Sequence, residues 1–128
     1  MKRIYITALS LLFSIMMMAQ TLPSNITDSF RKGNAALLNG NLANRVTLVL
    51  PGSNTETDSS AAERELEKFF RGYRPSDFSL LHKTQKGDSG FTVGKLTTAK
   101  GEYRVHLLFR QENNKYLIHQ IRIDKFNE

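Results

Sequence analysis

FTVGKLTTAKGEYRVHLLFRQENNKYLIHQIRI, residues 91–123, is the stretch whose reading decides the fold. β-Branched and aromatic residues dominate it, and Lys100-Gly101 and Asn113-Asn114 interrupt it as hairpin turns do. It predicts three consecutive strands, Phe91 to Thr98, Glu102 to Arg110 and Tyr116 to Ile123. Just upstream, Phe78 to Thr84 followed by Lys86-Gly87-Asp88 adds a fourth. The C-terminal half is therefore a four-stranded antiparallel meander.

Alternation sorts the side chains of the last hairpin. Tyr103, Val105, Leu107 and Phe109 share one face of their strand, and Arg104, His106, Leu108 and Arg110 share the other. On the final strand, Leu117, His119, Ile121 and Ile123 alternate with Tyr116, Ile118, Gln120 and Arg122. A connecting loop with an odd number of residues gathers Val105, Leu107, Phe109, Leu117, Ile121 and Ile123 on the core side. Arg104, His106, Leu108, Arg110, Tyr116, Ile118, Gln120 and Arg122 are then expected on the outer face. That mixture of aliphatic, aromatic and Arg residues is typical of interfaces, and it points to a homodimer through the outer sheet face.

Ahead of the meander the pattern changes. Ile26, Phe30, Gly33 and Leu37 recur at helical spacing after Pro23-Ser24, with Ser24 the expected cap and Gly33 inside the helix. A glycine there costs about 1 kcal/mol, so a bend or a close contact is expected. Arg45 to Leu50 reads as a strand ended by Pro51-Gly52, and Ser53 to Ser60 as a polar loop. Ser60 and Glu63 have capping-box spacing ahead of a second helix. Its apolar stripe is Ala62, Leu66, Phe69, Phe70 and Tyr73, and it stops at Gly72 before Pro75. Helix, strand, helix and meander together make an α+β chain with helices packed on one face of an antiparallel sheet.

Residues 1–19, MKRIYITALSLLFSIMMMA, read as a signal peptide: Lys2 and Arg3, an apolar run from Ile4 to Met18, and small Ala19 before Gln20. The run is short of the roughly 20 apolar residues a spanning helix needs. After cleavage, one domain of residues 20–128 is expected in the periplasm or secreted, without membrane insertion. Cysteine is absent, which excludes disulfides, thiol catalysis, Cys-ligated metals and a lipid-anchored cysteine. The formal charge of +6 falls to +4 without Lys2 and Arg3. The remaining cations are scattered, so no nucleic-acid partner is expected.

Several segments carry a resemblance: Phe30-Arg31-Lys32-Gly33-Asn34-Ala35, Val46-Thr47-Leu48, Phe69-Phe70, Gly94-Lys95-Leu96-Thr97-Thr98, Tyr103-Arg104-Val105 and Tyr116-Leu117-Ile118. Together they resemble a secreted Bacteroidota family of unknown function within the nuclear transport factor two-like, or cystatin-like, superfamily. The resemblance implies a strongly curved antiparallel sheet wrapped around the N-terminal helices, with a cone-shaped pocket between them. Superfamily relatives include ketosteroid isomerases, dehydratases and non-catalytic binding or dimerisation modules, so the fold raises the expectation of a pocket and not of a reaction.

Two functions compete. The first is a non-enzymatic module that binds a small apolar ligand or a protein partner, with Phe30, Phe69, Tyr73, Phe91, Leu107 and His119 lining the cone. The alternative is a cofactor-free lyase or isomerase with His119 or His82 as base. The acids Asp58, Asp77, Asp88, Glu102, Glu112 and Asp124 fall in turns or exposed positions, and none interrupts an apolar strand stripe. No catalytic residue is therefore assigned. His82, His106 and His119 lie on different strands with no His-x-His or His-x-x-x-His pair, so neither a metal nor a cofactor is expected.

Overall fold

The structure, a computed structural model, describes residues 22–126. The leader read over residues 1–19 lies outside the described residues. Helix α1 spans Ser24–Lys32 and is followed by a single 3-10 turn, Ala35–Leu38. Strands β1 (Leu42–Leu50) and β2 (Ser53–Thr57) precede helix α2 (Ser59–Tyr73). The meander comprises β3 (Pro75–Lys86), β4 (Ser89–Thr98), β5 (Gly101–Glu112) and β6 (Lys115–Lys125). The six strands form one curved sheet in the order β2-β1-β6-β5-β4-β3. All neighbours are antiparallel except β1 and β6, which are parallel. Both helices pack on the concave face, α1 against β3 and α2 against β1.

Several boundaries differ from the sequence reading, each for a local reason. Gly33 is not inside α1: it adopts φ 65°, ends the helix, and its N–H donates to Ser29 O. Pro23, not Ser24, precedes the first turn, and no side chain caps it. The polar segment after Pro51-Gly52 is no loop but β2, paired with β1 from Leu50–Ser53 to Val46–Thr57. Its side chains are almost all exposed, so it has no apolar alternation to betray it. Asp58, not Ser60, caps α2, its Oδ1 accepting from Ala61 N at 2.8 Å. Gly72 stays helical, and Arg74 takes the left-handed terminal position at φ 51°.

The last hairpin corrects the loop parity. Asn113 and Asn114 form a two-residue turn, both with positive φ, and Glu112 pairs with Lys115. That even loop sets Phe109 opposite Ile118 on the core side. Ile118 is fully buried and Tyr116 meets Phe109 edge-on at 5.2 Å, so both leave the outer face, while half-buried Leu117 joins it. One extra residue, His119, then slips the register, so that Leu108 faces Gln120 and Leu107 faces Ile121. Ile121 and Ile123 thereby return to the core opposite Leu107 and Val105, as expected.

Candidate functional site

β4 is built inside out. Its core-facing positions are Gly90, Thr92, Gly94, Leu96 and Thr98, whereas Phe91, Val93, Lys95 and Thr97 face outward. A strand covered on one face only normally places its large apolar side chains on the covered side. The small inward residues let rings from neighbouring elements cross the strand. A Cβ on Gly94 would come closer than 3.0 Å to Phe78 Cζ and Cε1, and one on Gly90 would lie 2.9 Å from Phe109 Cζ. The hydroxyl of Thr92 is enclosed, with no hydrogen-bond partner among the described residues.

Aromatic rings pack the concave face. Phe30 lies 5.2 Å from Phe78 and 5.8 Å edge-on from Phe70, centroid to centroid. Phe69 stacks on Tyr73 at 4.2 Å, and Tyr103 stands edge-on to both. Burial, reinforced by Tyr73, raises the Tyr103 phenol above its usual 10.0. Leu66, Val105, Leu107, Phe109, Ile121 and Ile123 complete the packing.

The six side chains read from sequence as a pocket lining are distributed over different environments. Phe30 and Leu107 are fully buried in the core, Phe69 and Tyr73 form the stacked pair on α2, and Phe91 lies on the opposite face of the sheet. His119 occupies the β6 bulge, where its ring borders two surface hollows. Nothing in the 3.6- or 2-residue periodicity distinguishes a position that packs the core from one that lines a pocket.

The outer face carries apolar side chains at the centre of the sheet, besides the exposed Leu80 and Leu81 on the edge strand β3. Phe91 pairs with Leu108, and Val93 with His106, which in turn faces Arg122. The Phe91 and His106 rings lie 5.8 Å apart, tilted by 37°. Leu108 is 44% exposed. Two of the flanking charge groups are internally neutralised: Lys95 Nζ lies 3.1 Å from Glu102 Oε2, and Arg122 Nε lies 2.8 Å from Asp124 Oδ2. Arg104 donates to Phe126 O at 3.2 Å and covers the Phe126 ring. Burial lowers the His106 pKa from 6.5; Asp124 opposes that shift, and Arg104 and Arg122 add to it.

Neither of the other histidines sits in an acid–base constellation on the concave side. His82 Nε2 is 2.7 Å from Thr84 Oγ1 on the exposed part of β3. His119 Nε2 is enclosed, with no hydrogen-bond partner among the described residues. No group of three His, Cys, Asp or Glu side chains among those residues is placed to hold a metal, and no helix among them is long and apolar enough to cross a membrane.

A curved sheet closed over two helices in this order is the nuclear transport factor two-like roll. Comparison supports that class: an NTF2-like protein of unknown function from Shewanella baltica OS155 superposes with a TM-score of 0.60 at 8% identity, over 78% of this chain and 84% of that one. The chain belongs to the family described as Domain of unknown function (DUF4783), whose model matches residues 23–124. A DUF4783 family protein from Bacteroides fragilis YCH46 is 42% identical, with a TM-score of 0.77 over 82% of this chain and 99% of that one. Another from Bacteroides ovatus ATCC 8483 is 35% identical, with a TM-score of 0.79 over 85% and 99%. No curated protein matches the chain.

Proposed function

We propose that the protein is a non-enzymatic binding module, exported to the periplasm or the medium, that self-associates through the outer face of its sheet. The observation that carries this reading is the inversion of β4. Phe91 and Val93 are turned to the outer face, half-buried beside the exposed Leu108, and small residues stand where the fold itself would bury large ones. The rings of Phe30, Phe78 and Phe109 occupy the concave side where a small apolar ligand would sit, which favours a protein partner over such a ligand. A second copy suits the face because a two-fold contact needs a self-complementary patch. Here an apolar centre of Phe91, Val93 and Leu108 is flanked by two charge pairs made within the chain, Lys95–Glu102 and Arg122–Asp124. Export rests on the leader, Lys2-Arg3 followed by the apolar run to Met18.

The test is sedimentation equilibrium of the wild type and of Leu108→Glu. Leu108 is exposed enough that the substitution leaves the fold intact. The wild type is expected to sediment as a dimer and the variant as a monomer. A monomeric wild type at high micromolar concentration, or a variant that stays dimeric, overturns the proposal.

A further inference from the structure

β1 and β6 run parallel but do not stay in step. They pair at Leu42–Ile118 and next at Thr47–Gln120, so Ala43 to Val46 of β1 stand opposite the single residue His119. Asparagines anchor the start of this divergence. Ile118 N–H donates to Asn41 O at 2.7 Å, Asn41 Nδ2 donates to Tyr116 O at 2.8 Å, and Asn25 Nδ2 donates to Asn41 Oδ1 at 2.7 Å. The strands therefore part because of register and not through a slack loop, and they leave a hollow of about 650 Å³. That volume lies within the roughly 300–1,000 Å³ of small-molecule sites.

The chemistry around the hollow is mixed in a specific way. Leu42 and Leu117 supply apolar wall, and Arg45 and Lys115 supply cations against the single carboxylate of Glu112. Arg45 Nε is 3.7 Å from Glu56 Oε1 with both side chains well exposed, a tie too weak to hold the guanidinium away. His119 also borders the hollow, and its enclosed Nε2 has no partner among the described residues. A buried polar atom left unpaired costs about 1–3 kcal/mol.

We infer that this hollow binds a small carboxylate with a short apolar body. Two cations meet one carboxylate group in a charge-assisted contact, and Glu112 on the rim disfavours a more highly charged anion. The apolar part of the ligand would lie on Leu42 and Leu117. The site adjoins the proposed dimer face, whose centre is Phe91 and Leu108: His119 borders both this hollow and a smaller one that Leu108 lines.

The experiment is an amide chemical-shift titration of the protein with benzoate, and with benzamide as the uncharged match. Benzoate is expected to shift Ala43, Asn44, Leu117 and His119 saturably, and benzamide to bind about tenfold more weakly or worse, as loss of a charge-assisted hydrogen bond implies. The double variant Arg45→Ala/Lys115→Ala should lose benzoate binding by a similar factor while its spectrum elsewhere is unchanged, since both side chains are exposed. A Val93→Glu variant, altered on the outer face at a position that lines neither hollow beside His119, should be monomeric yet bind benzoate as the wild type does, which separates this inference from the self-association reading. Absence of saturable shifts at the hollow, equal binding of benzamide, or undiminished binding by the double variant overturns it.

Discussion

Replacing Gly94 with Ala tests whether the concave face is closed by aromatic packing. The new methyl would come closer than 3.0 Å to two atoms of the Phe78 ring and lie 3.1 Å from Ser79 O. Carbon atoms rest at about 3.5–4.0 Å, so the ring must retreat by at least about 0.5 Å. Its retreat is obstructed, because Phe78 is 3% exposed and lies against Phe30, itself edge-on to Phe70. The Ser79 oxygen belongs to the paired strand and can move little. Overpacking of this kind costs about 1–3 kcal/mol, and the stiffer unfolded chain returns about 0.4–1 kcal/mol. Two contacts under 3.0 Å put the cost in the upper part of that range, about 2–3 kcal/mol, so the net loss of about 1–2.5 kcal/mol should lower the melting temperature by roughly 4–20 °C for a domain this size. Urea denaturation of Gly94→Ala, Phe78→Leu and the double variant completes the test. The smaller Leu makes room for the methyl, so the pair should couple favourably by about 1 kcal/mol or more. A Gly94→Ala protein as stable as the wild type, or a cycle additive within about 0.5 kcal/mol, would refute the ring-over-glycine packing. It would also reopen the cone as a ligand site.

Two further outcomes follow from local geometry. Asp58→Ala removes the acceptor of the Ala61 N–H and should lower stability by about 1 kcal/mol in thermal or urea unfolding, whereas Ser60→Ala should change it by under about 0.5 kcal/mol. His106 has a folded pKa below its usual 6.5, so the unfolded chain binds the proton more readily and stability falls as the pH drops through 6.5 towards the folded value. Differential scanning calorimetry across that window should show the slope reduced in His106→Gln. The proposed dimer should also loosen there, because the new charge stands between Arg104 and Arg122 with Asp124 to offset it; equal pH profiles for the two proteins would remove His106 from this account.

The strands of the meander and both helices were legible because their apolar periods are strong and their turns carry Gly, Pro or Asn. The misreadings have physical causes. β2 is a polar edge strand held by main-chain pairing with β1, and an exposed Ser-Asn-Thr-Glu-Thr run carries no period that marks one face. Asp58 and Ser60 both suit a helix cap, and the capping-box rule favours the wrong one by two residues. In the last hairpin, Asn113-Asn114 called for a two-residue turn while Leu107, Ile121 and Ile123 called for the opposite parity. Both signals were sound. The fold satisfies the first next to the turn and the second beyond it, by spending His119 in a bulge. A bulge has no sequence signature of its own, so the conflict between the two signals was the only sign of it.

The candidate site was less legible, because the family resemblance implies a pocket on the concave face. Yet the sequence of β4 held a contrary signal. In Gly90-Phe91-Thr92-Val93-Gly94 the large apolar residues are out of phase with Leu96, the next core residue on the strand. The two halves of that pattern act together: Gly90 and Gly94 admit Phe109 and Phe78, which close the concave face, and the displaced bulk of Phe91 and Val93 goes to the outer one. Enlarging the inner residues would therefore disturb core packing, and shrinking the outer ones would reduce surface adhesiveness. Stability and self-association are therefore expected to be separable, most directly at Leu108 on β5, which is 44% exposed while its neighbours along the strand, Leu107 and Phe109, fill the core.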